Sequence, residues 1–483
     1  VLDAARDGAQ PLKSPDLAGR LQRARPRIRR LLPAKLHHLA GHLGRWAVRA
    51  IEARGTMPPI GPPALLPAPA ATAEARRPPI VLANASLTAG GAERQVVNLL
   101  QGLTRRGRHA LLLTLHLDER PELRFFLDEA VAAGLEVRNA QPAAQAAEQL
   151  IAACGTPAYA AFRDSLAWAP GDIQDDIVRL AGELHRLRPA VVHGWQDATG
   201  IVAAFAALAV GARRIIIGGR NLQPEHFSHA RPYMRDAYRF LAGRSEVVLA
   251  NNSAAGARSY ADWLGLEPGV IRVVRNGIAA EALTRPREID IEAFRRSLGV
   301  AAGGRLVGGA FRLQAEKRPL LWLEAAARVS RRHPDVRFVI FGEGTMRGKL
   351  GQAAERLGLA DKLMMPGTIG NSRLAIATLD VLMLASAQEG TPNVVLEATC
   401  LGVPVVAINA GGTGETLLEG RTGLLVQEED TAPEGLADGL AKAVAQVLAG
   451  RFAPGELRTL GPEFIKQAFG IERMVEETLA LYE

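Results

Sequence analysis

The sequence predicts an α/β protein of two Rossmann-like domains facing across a cleft, preceded by a basic N-terminal extension. Three observations carry this. From Pro78 onward, short apolar runs alternate with amphipathic segments, the pattern of parallel strands covered by helices on both faces. The alternation pauses in a polar stretch near residues 283–303 and then restarts, giving two units of similar size. Finally, the net charge of +8 sits at one end: residues 1–50 hold 11 Lys and Arg against three Asp and Glu, so the rest of the 483-residue chain holds 47 of each sign. A chain of this length exceeds one ordinary domain.

Residues 1–77 form the expected extension. Within 20–55, Leu21, Ile28, Leu31, Leu36, Leu39, Leu43 and Trp46 are set among Arg and Lys, with Pro26 and Pro33 interrupting. This reads first as a solvated arm and second as an amphipathic helix for an anionic lipid surface, which Trp46 beside Arg45 and Arg49 keeps in play. A Pro/Ala-rich stretch up to residue 77 reads as a linker. The first domain is expected over 78–290, with strands at 78–84, 109–115, 190–194, 214–219, 246–251 and 271–277. An amphipathic helix at 93–107 carries Val96, Val97, Leu99, Leu100 and Leu103 on one side, and the strand-poor residues 118–172 read as an insertion. The second domain is expected over 291–455, with strands at 305–311, 336–342, 362–367, 380–386, 403–408 and 423–427 and helices between. Residues 456–483 read as helices packing back on the first domain.

Composition narrows the function. With the body of the chain neutral, no basic groove for nucleic acid is expected. Cys154 and Cys400 have no metal-ligand spacing, and a reducing, cytoplasmic compartment is the expectation. If the arm binds lipid, the protein would sit peripherally at the inner face of the plasma membrane. No apolar run is long enough to span a bilayer. The sequence opens on Val1, so a native start further upstream, and a targeting segment with it, stays open.

Ligands in such folds bind outside the carboxyl ends of the strands, and the chemistry-bearing residues fall there. The strongest signal is EGTPNVVLEA after the strand at 380–386. Gly390 allows close backbone approach, and Pro392 fits a first helical turn. The free amides of Thr391 to Val394 make an anion site suited to a diphosphate. Asn393 and Glu397 share a helix face, which lets Glu397 accept from a ribose diol, while Glu389 reaches towards a sugar. Taken alone, the segment also fits a capped helix with solvated glutamates. In FRLQAEKRP, Arg312 and Lys317 flank a loop after the first strand of the second domain. Two cations there can neutralise a departing diphosphate as a metal would. TAGGAER after the first strand puts Gly90 and Gly91 at a helix start. It is not GxGxxG, which disfavours a dehydrogenase. His193, Arg220 and Asn221 follow strands of the first domain and are expected to face the cleft on the acceptor side. Glu343 sits in a Gly-rich turn (FGEG) near the expected nucleotide.

These residues together resemble glycosyltransferase family 4, whose fold is the two-domain GT-B arrangement. GGAER, VVRNGI (273–278), FRLQAEKRP, FGEG, EGTPNVVLEA and GVPVVAINAGGTGE carry the resemblance from about residue 80 to 426. It implies a retaining enzyme that uses a nucleotide-diphosphate sugar, UDP or GDP, without a divalent metal or other cofactor. It implies that Arg312 and Lys317 hold the diphosphate and that Glu397 binds the ribose. Glu389 would contact donor-sugar hydroxyls beside the loop of Gly390, Thr391, Pro392, Asn393 and Val394, and Gly91 would approach the diphosphate from the other domain. Many members carry a His where this chain has Gly219-Arg220, so no His-based role is carried over to that position. The basic arm points to a lipid-linked or lipopolysaccharide acceptor, and the expected role is transfer to a glycan or lipid-linked acceptor in cell-surface polysaccharide or lipopolysaccharide synthesis. Two alternatives share the fold: a nucleotide-sugar epimerase, and a non-catalytic sugar-binding partner.

Overall fold

A computed structural model describes residues 58–69, 78–279, 284–428 and 433–483. The arm at 20–55 lies outside the described residues. The first domain holds a seven-stranded, all-parallel sheet: β1 (Ile80–Asn84), β2 (Ala110–Thr114), β3 (Val137–Asn139), β4 (Val191–Trp195), β5 (Arg214–Gly219), β6 (Val247–Asn251) and β7 (Arg272–Val273), in the order β3-β2-β1-β4-β5-β6-β7. The second holds six parallel strands: β8 (Arg305–Ala310), β9 (Val336–Phe341), β10 (Leu363–Gly367), β11 (Val381–Leu384), β12 (Val405–Ile408) and β13 (Gly423–Val426), in the order β10-β9-β8-β11-β12-β13. In both sheets the order reverses beside the first strand, and the cleft opens at those two switch points. The five helices that frame it are α1 (Gly91–Arg105), α2 (Ala254–Leu264), α3 (Asn393–Cys400), α4 (Pro454–Phe469) and α5 (Ile471–Tyr482).

The strands are apolar runs because both faces are covered. In the first sheet, Val81, Leu111, Val192 and Ile215 pack into one core layer. Leu82, Leu112 and Trp195 point the other way, under α1 and α5. The second domain has one contiguous core built on Val307, Phe338, Leu382, Val406 and Trp322.

Three sequence expectations need correction. Residues 118–172 are not simply an insertion, because they contain β3, which extends the sheet beside β2 through Leu112↔Val137 and Thr114↔Asn139. Three residues, two of them Arg and Asn, carry no apolar alternation, so the strand was not visible. The Pro/Ala-rich stretch is not a free linker over 58–69. Leu66 is buried and its N–H donates to the Ala209 carbonyl at 2.8 Å, while the Pro67 carbonyl lies 2.7 Å from His185 Nε2. The tail also divides. Helix α4 packs on α3 of the second domain through Phe469, Ile465 and Leu396. Only α5 crosses back, setting Val475 against Gly102 of α1.

The chain thus passes between domains twice, and the two passages touch. Ile278 N–H donates to the Phe469 carbonyl (2.7 Å), and Ile471 N–H donates to the Ile278 carbonyl (3.2 Å).

Candidate active site

The loop after β8 is tied to the turn after β9. Phe311 N–H donates to Phe341 O, Leu313 N–H to Glu343 O and Met346 N–H to Leu313 O. Gly342 and Gly344 permit this, since a Cβ on them would meet the carbonyl oxygens of Phe311 and Leu313 at 2.1 and 2.5 Å. Arg312 rides exposed on this support, with no side-chain partner among the described residues. Glu343 is also exposed and pairs with Arg347 at 2.9 Å.

Lys317 follows in a single 3₁₀ turn (Ala315–Lys317). The turn is fixed to the end of β11 by the Ala387 N–H donating to Glu316 O at 2.9 Å. The Lys317 ammonium therefore reaches Glu389, Nζ to Oε1 2.5 Å, with side-chain exposures of only 17% and 7%. The two residues that the sequence assigned to diphosphate and sugar meet each other directly. A pair this shielded is screened little by salt.

Glu389 leads into the loop at the start of α3, where Pro392 is the N-cap. The N–H groups of Asn393 and Val394 have no backbone partner among the described residues, as a helix start leaves them, while those of Val395 and Leu396 donate to the Pro392 carbonyl (3.0 and 3.3 Å). Asn393 bridges the domains: its Nδ2 donates to Gly91 O (3.0 Å), and its Oδ1 accepts from Asn276 Nδ2 (2.7 Å) and Gln95 Nε2 (3.4 Å). The Asn393 side chain thus fills the space over Gly91, and the Glu93 carboxylate folds over Gly90. Thr391 donates its hydroxyl to Asn252 O at 2.6 Å, and Val394 continues the helix on the same rim. Glu397 lies one turn along. Burial pushes its carboxyl pKa up, against the Arg94 charge and a Ser372 hydrogen bond that favour the ionised form.

The GGTGE loop braces this arrangement. The Gly412 N–H donates to Glu389 O at 3.0 Å. Glu415 crosses the cleft and accepts the N–H groups of Ala254 (3.1 Å) and Ala255 (2.9 Å) at the start of α2. Arg275 lies 3.7 Å from the same carboxylate. Opposite charge at the positive end of a helix is the favoured sign. Gln95, Arg94, Asn276 and Glu415 were not singled out in the sequence, although three of them lie inside quoted motifs.

On the acceptor side the structure changes two expectations. Asn221 does not extend into the cleft, because its Oδ1 accepts the N–H of Leu222 (2.9 Å) in a local turn. His193 is not at a strand end facing the cleft. It lies within β4, buried between Trp195 and Tyr482 of α5, with Nδ1 3.0 Å from the Tyr482 hydroxyl. Arg220 turns its guanidinium back over Trp195, 3.4 Å from the ring centroid.

His193 predicts a pH dependence. Burial, and then the Arg220 charge, hold its pKa well below the ordinary 6.5. The unfolded chain takes up a proton near that value and the folded chain does not, so the unfolded state gains protons first as pH falls. The stability from a neutral His193 is present above pH 6.5 and is lost on acidification below it. Thermal melts should show Tm dropping below this pH, and His193→Gln should flatten that limb. An unchanged slope in the variant would assign the acid limb to other groups.

Two family models match the chain in tandem: Glycosyltransferase Family 4 over residues 89–282 and Glycosyl transferases group 1 over residues 290–451. The Vi polysaccharide biosynthesis protein VipC/TviE of Salmonella typhi is 29% identical over 412 residues, which covers 82% of this chain and 70% of that protein. A D-inositol 3-phosphate glycosyltransferase of Corynebacterium urealyticum is 34% identical over 214 residues, covering 42% of this chain and 50% of its own length. Among solved structures, Anabaena Alr3699/HepE in complex with UDP superimposes with a TM-score of 0.64 at 20% identity, covering 83% of this chain and 98% of that one. At that identity the likeness is one of fold.

Proposed function

Because the chain is a GT-B glycosyltransferase of the group 1 and family 4 type, we propose that it moves a sugar from a nucleotide-diphosphate donor, UDP or GDP, to a glycan or lipid-linked acceptor with retention of configuration. The observation that carries the reading is the shielded Lys317–Glu389 pair beside the amide-rich start of α3. A diphosphate entering there competes with Glu389 for the Lys317 ammonium. It also receives helix-end amides on one side and Arg312 on the other. Glu389, released from Lys317, accepts donor-sugar hydroxyls, and Glu397 accepts from the ribose. The acceptor hydroxyl then attacks on the face the nucleotide leaves, and the departing phosphate oxygen takes its proton. Lys317 and Arg312 act most strongly as negative charge builds on the leaving group, which is the work a divalent ion would otherwise do. A role in polysaccharide synthesis fits the likeness to the Vi polysaccharide biosynthesis protein.

A panel of UDP- and GDP-sugars, run in EDTA with and without a mixture of glycan acceptors, tests this. Nucleotide release that requires acceptor, with product anomers matching the donor by NMR, is expected. Equal release without acceptor would point to a hydrolase or epimerase. Inverted product would overturn retention, and loss of activity in EDTA would overturn metal independence.

A further inference from the structure

Arg220 directly follows β5 at the cleft, and its backbone forms part of the cleft wall. Its carbonyl oxygen stands 2.6 Å from where a Cβ on Gly390 would sit, and it accepts from Asn252 Nδ2 at 3.4 Å. Its side chain is held by stacking. The guanidinium carbon is 3.4 Å from the centre of Trp195, and Trp195 is itself fixed by Nε1 donating to Ala92 O at 3.0 Å. Gly218 makes the space, since a Cβ there would lie 3.0 Å from both Arg220 Nη2 and His193 Nε2.

Among the described residues this cation has no protein counter-ion. No carboxylate pairs with it and no acceptor receives its side chain among the described residues. Its Nε is buried without a partner, as is the neighbouring His193 Nε2. Part of the residue remains accessible. Burial draws its pKa down to about 9, so it stays charged at neutral pH. Removing a charge from water is costly unless it is paired, and stacking on an indole offsets only part of that. Two other cations at the cleft are matched, Lys317 by Glu389 and Arg275 by Glu415, and Arg312, which is not, stands exposed to water. Arg220 is the planar, forked donor best suited to an oxyanion, and it belongs to the domain opposite the donor cations.

We propose that Arg220, braced on Trp195 beside His193, is the seat for an oxyanion carried by the acceptor sugar, so that the acceptor is an acidic glycan. This rests on the reading of the first domain as the acceptor side. The oxyanion is a uronate carboxylate or a sugar phosphate, and both enter the test. With the full chain saturated in UDP, saturation-transfer NMR titrations compare methyl β-glucoside with methyl β-glucuronide and methyl β-glucoside 6-phosphate. One acidic ligand should bind roughly 10- to 100-fold more tightly than the neutral one, as a hydrogen-bonded charge pair allows. The preferred acid identifies the source. Arg220→Gln should bring that ratio to about one, and Arg220→Lys, with the charge but not the fork, should keep part of it. Melting curves establish that each variant folds, and Arg220→Lys decides if the Gln variant does not.

Equal binding of acidic and neutral ligands by the wild type would overturn the proposal, as would a preference untouched in both variants. A fall in UDP affinity as large as the fall in acid affinity would assign Arg220 to the donor diphosphate instead. The broader reading fails separately, by absence of acceptor-dependent nucleotide release from every donor.

Discussion

Lys317→Ala is expected to lower kcat by roughly 10²-fold or more, the scale of losing one charge-stabilising group from a preorganised site. The substitution has a second consequence. Glu389 is 6% exposed, and removing its partner leaves a buried carboxylate unpaired, a destabilisation of about 3–5 kcal/mol for such pairs. The melting temperature should therefore fall with the rate. Arg312→Ala separates the two effects. Arg312 is exposed, with no side-chain partner among the described residues, so its loss should leave Tm within experimental error while kcat falls on the same scale. The double substitution Lys317→Met with Glu389→Gln should recover Tm without recovering turnover. Steady-state kinetics with thermal melts on the same preparations would check all three. Unchanged turnover in both single variants would remove the diphosphate role.

Gly412→Ala should be nearly as damaging for a purely spatial reason. Its φ of −86° suits any residue, so the backbone itself accepts alanine. The added Cβ, however, would lie 1.9 Å from the Gly390 carbonyl oxygen and 2.8 Å from the Ser253 Cβ. Neither neighbour is a flexible side-chain end. One belongs to the loop carrying Glu389 and the other to the opposite domain, so the methyl group would push the donor loop and the cleft apart together. Displacements near 1 Å at a reacting site cost about 10²-fold, and kcat/KM should fall by roughly 10- to 100-fold. Gly414→Ala is the control. Its Cβ would approach Asn409 Oδ1 at 2.8 Å, the end of a side chain that can turn aside. Equal losses in the two variants would mean that the loop tolerates no side chain anywhere, and the specific clash with Gly390 would lose its meaning.

Most of the scaffold could be read in advance because parallel strands covered on both faces must be apolar throughout. Every expected strand is present within a few residues. The strand that was not expected, β3, is only Val137, Arg138 and Asn139 at a sheet edge. At an edge one neighbour suffices, so the local signal disappears. The site was legible as residue types at strand ends, but not as pairings. Lys317 and Glu389 were both named, yet their contact spans 72 positions. The role of Asn393 depends on Asn276, 117 positions away, and that of His193 on Tyr482, 289 positions away. No periodicity encodes such distances. Arg220 and Asn221 looked equivalent as neighbours, and only the backbone turn at Leu222 sends one side chain inward and the other back on itself.

The adjacent passages at Ile278 and Gly470 make the first half a discontinuous unit in the gene. Severing either connection once, by protease or by design, would leave the halves tied through the other. A fragment ending at residue 279 would lack α5, and Ile216 and Val191, which pack against Tyr482 and Leu481, would be laid bare. Chimaeras that swap first domains between relatives therefore need two junctions, with α5 travelling alongside β1–β7.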